Sequence, residues 1–499
     1  MRKAKVALNS NPIMWKPKWT ATAVALLLAI APFSLFATGE DTLRLQDKIA
    51  STLKFPTVSY VDSLKTDWKA FDDLGNFLRQ AFPKVNAECK PVVIGGHSLL
   101  FKWQGRKPEN LPVMFYAHQD VVPVESESGE GWTYPPFSGE IADGYIWGRG
   151  VLDTKSLIVC QLEAAERLLA AGFRPESTIY FAFGHDEEVG GNQGAAKIAG
   201  LLQSQGVRLD WVLDEGLGVI MGAFKETDPP IALVAMAEKG HANIQLKVLG
   251  KGGHSATPPF ETVIGKLAMA LDRLAKNPME ERLLPLVMES LRNVSPLMDK
   301  KTQFAMKNAR LLRKQILNAL AKDPLTDAII RTKISPTIIN GGLKSNVLPK
   351  EATVVLNVRI MPGDSIASVV EHIRKTINDP SVEITVMEDP TEPSPVTSHQ
   401  SLEFAMLGET ITDIYPTAIL SPALMPAGTD SKHFIPLSEN LFRFSPFCVH
   451  KDEGGRIHNT NERISVAACE DMLAFYMLLF QTLPLHGRTP EKNHGAGHR

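Results

Sequence analysis

STIYFAFGHDEEVGG, from Ser177 to Gly191, is the stretch on which the fold turns. Its first half is apolar, β-branched and aromatic, the composition of a buried strand. The run stops at Gly184 and meets three consecutive acids, Asp186, Glu187 and Glu188. Adjacent carboxylates repel one another, and a core-facing strand end is a poor place to leave them unpaired. The two glycines that follow suit a tight turn away from that position.

The surroundings repeat the pattern. The strand-like run in FYAHQDVVP ends at His118 and Asp120; GRGVLDTK carries Asp153; LDWVLDEG ends at Asp214 and Glu215. Between them, SLIVCQLEAAERLLAAG (Ser156 to Gly172) reads as a helix with a glycine stop. Strands alternating with helices predict an α/β fold: a mostly parallel catalytic sheet with helices on both faces. Ligands of such sheets sit at the carboxyl ends of the strands. Near Ile231 the pattern changes to the alternation of exposed antiparallel strands, followed by a helix-rich stretch from about 262 to 332. The reading is an inserted α+β, ferredoxin-like domain over 236–392. It divides a catalytic domain into 41–235 and 393–485, with a disordered tail at 486–499.

The 499 residues include 53 basic and 55 acidic side chains, for a net charge of −2. That balance offers no electrostatic footprint for nucleic acid. Basic residues precede the apolar run from Thr20 to Ala37, and Glu40 and Asp41 follow it. Residues 1–40 therefore read as a signal peptide or a single membrane anchor, with the rest of the chain exported. The four cysteines, Cys89, Cys160, Cys448 and Cys469, form no CxxC pair and read as small buried apolar residues.

Each acidic block alone is weak, since short motifs of this kind are commonly structural. Together they bring at least four carboxylates and a histidine to one rim. Repulsion and desolvation would protonate such a group unless a cation offset the charge. Histidine with carboxylates suits Zn²⁺, with Co²⁺ or Mn²⁺ as substitutes. Oxygen-only Ca²⁺ binding would not call for the histidines.

In this order, the H-x-D, G-R-G-x-x-D-x-K and D-E-E-x-G-G blocks resemble the M20 family of metallopeptidases and aminoacylases, and its carboxypeptidase S-like branch most. The resemblance spans about 45–483. It implies two Zn²⁺ ions held by His118, Asp153 as the bridge, Glu188, Asp214 and His458, with Glu215 as the alternative to Asp214. Asp120 would orient His118, and Glu187 would be the general base. His458 is taken from GRIHNTNERI; His433 and His450 read as structural or substrate-facing. From the inserted domain, His254 in GKGGHSATPP would reach a partner's active site in a homodimer and stabilise the oxyanion. Asn346 in SNVLP and Arg359 in LNVRIMPGD would hold a substrate carboxylate. PAGTDSKHF, Pro426 to Phe434, would line the pocket. The implied activity is exported amide hydrolysis next to a free C-terminal carboxylate, of the carboxypeptidase or dipeptidase type. Its alternative is hydrolysis or synthesis of N-acyl amino acids. A metal-binding interaction protein of the same fold would have lost the base or a ligand, and none of those positions is missing.

Overall fold

The computed structural model describes residues 43–125 and 130–483. The segment read as signal or anchor and the tail from 486 lie outside the described residues. Among the described residues, no helix is long and apolar enough to cross a membrane.

Eight strands form one mixed sheet. In order across it they are Val92–Ile94, Ser98–Trp103, Ile179–Gly184, Val113–His118, Val212–Met221, Leu441–His450, Ile231–Glu238 and Ile419–Met425. The four central strands, from Ile179–Gly184 to Leu441–His450, run parallel. Their carboxyl ends therefore share one rim.

Period-two alternation covers both faces. Phe101, Phe115 and Phe181 point to one side, where the Phe480 ring lies 4.9 Å from Phe115 and 5.4 Å from Phe181. Met114, Tyr116, Tyr180 and Ala182 point to the other, against Ala195, Ile198 and Leu202 of the helix Ala195–Ser204. Each fully buried large side chain contributes about 1.5–3 kcal/mol by leaving water. The fold is the expected α/β layer with helices on both faces. All four cysteines are free, and three of them are buried.

A second sheet is wholly antiparallel, in the order Lys333–Gly341, Glu351–Ile360, Gly240–Leu249, Val382–Val386. The helices Val263–Lys276 and Ile366–Ile377 complete a β-α-β-β-α-β unit, the ferredoxin-like order. Its own core joins Ile244, Leu246, Val354 and Leu356 to Leu267, Ala270, Val369 and Ile373. Two details differ from the sequence reading. Ile231–Glu238, taken there as the start of the change in pattern, belongs to the large sheet, and the chain crosses to the second sheet at Lys239. The helices between Pro285 and Ala328, placed there in the inserted domain, pack elsewhere: Leu286, Val287, Leu291 and Ile316 join the core of the large sheet. An amphipathic helix declares an apolar face, but not which sheet that face covers.

Candidate metal centre

His118 closes the strand Val113–His118 with its ring fully buried. Its Nδ1 donates to the Asp120 carbonyl at 3.0 Å, which fixes the tautomer and turns the Nε2 lone pair outward. Nε2 then faces Asp153 Oδ1 at 2.9 Å and Glu215 Oε1 at 3.3 Å. A lone pair facing two carboxylate oxygens requires a proton or a metal ion between them. Burial opposes a charge on His118, but Glu215, Asp120 and Asp153 together raise its pKa well above the ordinary value.

Asp153 reaches in the other direction as well. Its Oδ2 lies 2.9 Å from His458 Nε2, and Glu188 Oε1 lies 3.3 Å from the same nitrogen. Hydrogen bonds to Asp153 and then to Glu188 push His458 up to about 10. One carboxylate thus stands between two histidines, as a bridging ligand would. The donor atoms of His118, Asp153 and Glu188 all lie within 4.8 Å of one another, as do those of His118, Glu187 and Glu215. Glu188 Oε1 is itself buried, facing the His458 ring nitrogen. Mixed nitrogen and oxygen donors at this spacing fit divalent ions of the zinc type.

The DEEVGG turn is held from behind. Asp120 accepts the N–H of Glu187 and that of Glu188, each at 3.1 Å, and the Ser59 hydroxyl at 2.7 Å. Asp186 points away and accepts the N–H groups of Gln193 and Gly194, so it braces the turn. Gly190 and Gly191 have φ of 108° and 72°. A Cβ on Gly191 would lie 1.8 Å from Asp430 Oδ1, so only glycine fits there. Burial first, and then the Glu215 charge, raise the Glu187 pKa well above the usual carboxylate range.

Asp214 and Glu215 part company. Register along the strand breaks between the pairs Asp214–Arg443 and Leu217–Phe444, leaving Glu215 and Gly216 in a bulge. Neighbouring side chains in a strand face opposite ways, so only one of the two acids can meet the rim. It is Glu215. Asp214 instead accepts the Ser431 N–H at 2.8 Å and the Glu215 N–H at 2.8 Å. Burial raises it to about 6. The sequence choice of Asp214 as ligand thus fails on geometry; its carboxylate is spent on the 426–434 loop.

Several residues of the centre escaped the sequence reading. Glu462, fully buried, accepts the N–H of Gly150 at 3.0 Å and of Leu152 at 2.8 Å, and pairs with Arg149 at 2.8 Å. It ties the His458 loop to the Asp153 loop, and its signal was the acid four residues after that histidine. Thr154 Oγ1 accepts the His118 N–H at 3.0 Å. Asp430 accepts from the Tyr116 hydroxyl beneath the rim.

Three predicted residues stand apart. His254 is exposed on a two-residue ribbon paired with Val347–Leu348, and its Nδ1 accepts from the Ala256 N–H. Asn346 adjoins that ribbon through its carbonyl, which accepts from Ser255. Arg359 is half-buried opposite His241 in the second sheet. Among the described residues, no hydrogen bond or ion pair links these three to the carboxylate cluster. His433 donates to the Gly190 carbonyl, and His450 pairs with Glu226 at the surface; neither joins the cluster.

The sequence pattern of peptidase family M20/M25/M40 matches residues 114–482, which include every residue of this cluster. The chain belongs to peptidase family M20. It is 39% identical to the N-fatty-acyl-amino acid synthase/hydrolase of Xenopus tropicalis, covering 89% of this chain and 86% of the relative. It is 37% identical, with the same coverage, to a probable carboxypeptidase S-like protein of Dictyostelium discoideum. Among solved structures, an M20 metallo-carboxypeptidase from Sulfolobus solfataricus shares the fold with a TM-score of 0.64 and 18% identity. That match covers 88% of this chain and 98% of the other. Membership of M20 makes the chain a metallopeptidase or amidohydrolase.

Proposed function

We propose that this M20 enzyme hydrolyses an amide bond adjacent to a free carboxylate, using two divalent ions, Zn²⁺ by donor chemistry with Co²⁺ or Mn²⁺ as substitutes. The observation that carries the reading is Asp153 standing 2.9 Å from both His118 and His458, with Glu215 and Glu188 beside them. His118, Asp153 and Glu215 would hold one ion, and His458, Asp153 and Glu188 the other. When bound, such ions supply Lewis acidity for the amide carbonyl and lower the pKa of water. Glu187 takes a proton from the attacking water and returns it to the departing amine, a role suited to a carboxylate of raised pKa. Asp120 fixes the His118 tautomer and holds the Glu187 and Glu188 amides.

Arg359 and Asn346 would hold the substrate carboxylate, Arg359 through its planar fork. His254 would donate to the oxyanion in the active site of a second copy. A homodimer is supported by the strand Lys333–Gly341, an edge of the second sheet with Ile338 and Ile339 exposed. The unit built on the second sheet, from Gly240–Leu249 to Val382–Val386, would act as lid and dimer contact. Export is supported by the basic, then apolar, N-terminal sequence.

Peptide cleavage, as by a carboxypeptidase or dipeptidase, is one form of this reaction. Hydrolysis of N-acyl amino acids is the other, favoured by the relative named as an N-fatty-acyl-amino acid synthase/hydrolase. A panel of dipeptides and N-acyl amino acids, assayed with chelator and with Zn²⁺ restored, tests the proposal. Turnover of a carboxylate-bearing amide should vanish on chelation and return with metal. Turnover that survives complete metal removal, or that prefers amides lacking the carboxylate, would overturn it.

A further inference from the structure

The segment that follows the helix Leu45–Leu53 returns to the metal centre and then leaves it with its apolar side chains outward. Ser59 donates to Asp120 at 2.7 Å, and Val58 bridges to Val121. The chain then makes a short closed loop: the Tyr60 N–H bonds Thr66 Oγ1, and Asp62 caps the turn Ser63–Lys65. The loop is shaped by hydrogen bonds, yet Val61 is 92% exposed, Leu64 94% and Tyr60 37%. Just beyond it, the half-buried Trp68 stacks on His97 at 4.6 Å, and the His97 carbonyl accepts from Gln119 Nε2 at 3.0 Å.

One end of this lip is thus bonded to Asp120, and the other stacks on His97, which is itself bonded to Gln119; Gln119 and Asp120 are the two residues that follow His118. Singly exposed apolar residues need no explanation, but an ordered apolar lip tethered beside a reactive centre does. Val61 and Leu64 contribute nothing to the core, while Trp68 also packs against Phe71 at 5.5 Å. The lip is built on the catalytic layer, whereas Arg359 lies on the second sheet, so the lip and the proposed carboxylate site are on different elements.

We infer that Tyr60, Val61, Leu64 and Trp68 form the receiving surface for the hydrocarbon chain of an N-acyl amino acid, and that they set preference for long acyl chains. The inference rests on the N-acyl form of the proposed function. The occupant is the substrate itself, because the lip starts one hydrogen bond from the residue that holds both the His118 ring and the Glu187 amide.

The experiment measures kcat and KM of the metal-loaded full chain on N-acetyl, N-octanoyl and N-hexadecanoyl derivatives of one amino acid, each below its micellar concentration. Wild type is compared with the double variant Val61→Ser/Leu64→Ser, whose exposed positions leave folding intact. The ratio of kcat/KM for hexadecanoyl over acetyl substrate should fall at least about tenfold in the variant, the scale of a few lost apolar contacts. The loss should appear in KM of the long substrate. An unchanged ratio, in an enzyme that does turn over N-acyl amino acids, overturns the lip alone. A wild-type enzyme that cleaves dipeptides but no N-acyl amino acid of any length overturns the acyl reading and the lip with it.

Discussion

The carboxylate of Asp120 accepts the backbone N–H groups of both Glu187 and Glu188, each at 3.1 Å, while its own carbonyl accepts His118 Nδ1 at 3.0 Å. One residue therefore orients the His118 ring on one strand and both acids after the neighbouring strand. Asp120→Asn places an amide where two N–H donors need an acceptor. Metal affinity should fall by about 10–100-fold, the usual cost of losing such a supporting contact. Competition with a metallochromic chelator reads this without reference to activity. Unaltered affinity would mean that the turn holds its place without the Asp120 carboxylate.

Glu187→Gln should separate binding from chemistry. The isosteric amide keeps the backbone contacts with Asp120 but can neither take nor return a proton. Turnover should drop by about 10²–10⁴-fold, the range of general acid–base catalysis, while bound metal and substrate KM stay close to wild type. Metal analysis of the purified variant alongside steady-state kinetics checks both halves. A variant with near-normal kcat would remove Glu187 from the proton path.

The adjacent acids of the DEG block should behave differently. Glu215 faces His118 at 3.3 Å, whereas Asp214 accepts the Ser431 N–H at 2.8 Å. Glu215→Gln should lose one of two metal equivalents. Asp214→Asn should keep both but loosen the loop from Pro426 to Phe434, seen as faster amide exchange at Ser431. Loss of metal in Asp214→Asn together with retention in Glu215→Gln would reverse the assignment.

That pair also shows where sequence reasoning ran out. His118, Asp153, Glu187, Glu188 and His458 were legible because each follows a strand run or sits in a spaced motif, and the structure brings all five together. The choice between Asp214 and Glu215 depends on the parity of one strand, and a bulge set by its pairing with Leu441–His450 decides it. The roles of Ser59 and Glu462 were not legible for a related reason. Each bonds a segment remote in the chain, Ser59 to Asp120 and Glu462 to Gly150 and Leu152, and only the closed fold makes those contacts. The helices from Pro285 to Ala328 declared their apolar faces but not which sheet would receive them.

Glu462 is the most costly of these hidden residues to remove. Truncation to Ala leaves the Gly150 and Leu152 N–H groups without their acceptor and Arg149 buried without its partner. Breaking a buried pair from one side costs about 3–5 kcal/mol. Urea unfolding of Glu462→Ala should show a loss of that size. Glu462→Gln, which keeps one acceptor oxygen, should lose less. Equal midpoints for wild type and the Ala variant would show that the two loops close without this carboxylate.

Asp430 gives a pH signature independent of metal. It is fully buried, accepts from the Tyr116 hydroxyl, and its Oδ1 has no hydrogen-bond partner among the described residues. Burial raises it from 3.8 to about 8. A carboxyl raised on folding binds its proton more tightly in the native state than in the unfolded chain. Its contribution to stability is therefore complete below about 3.8 and fades as pH rises through about 8. Asp430→Asn keeps the size and the acceptor for Tyr116 but cannot ionise. Urea midpoints of the chelated wild type and variant, taken from pH 5 to pH 9, should diverge as pH rises, the variant gaining relative to wild type. Groups that titrate alike in both proteins cancel in that difference. Parallel curves would place the Asp430 carboxyl in its ordinary range, with Lys432 and His433 offsetting its burial.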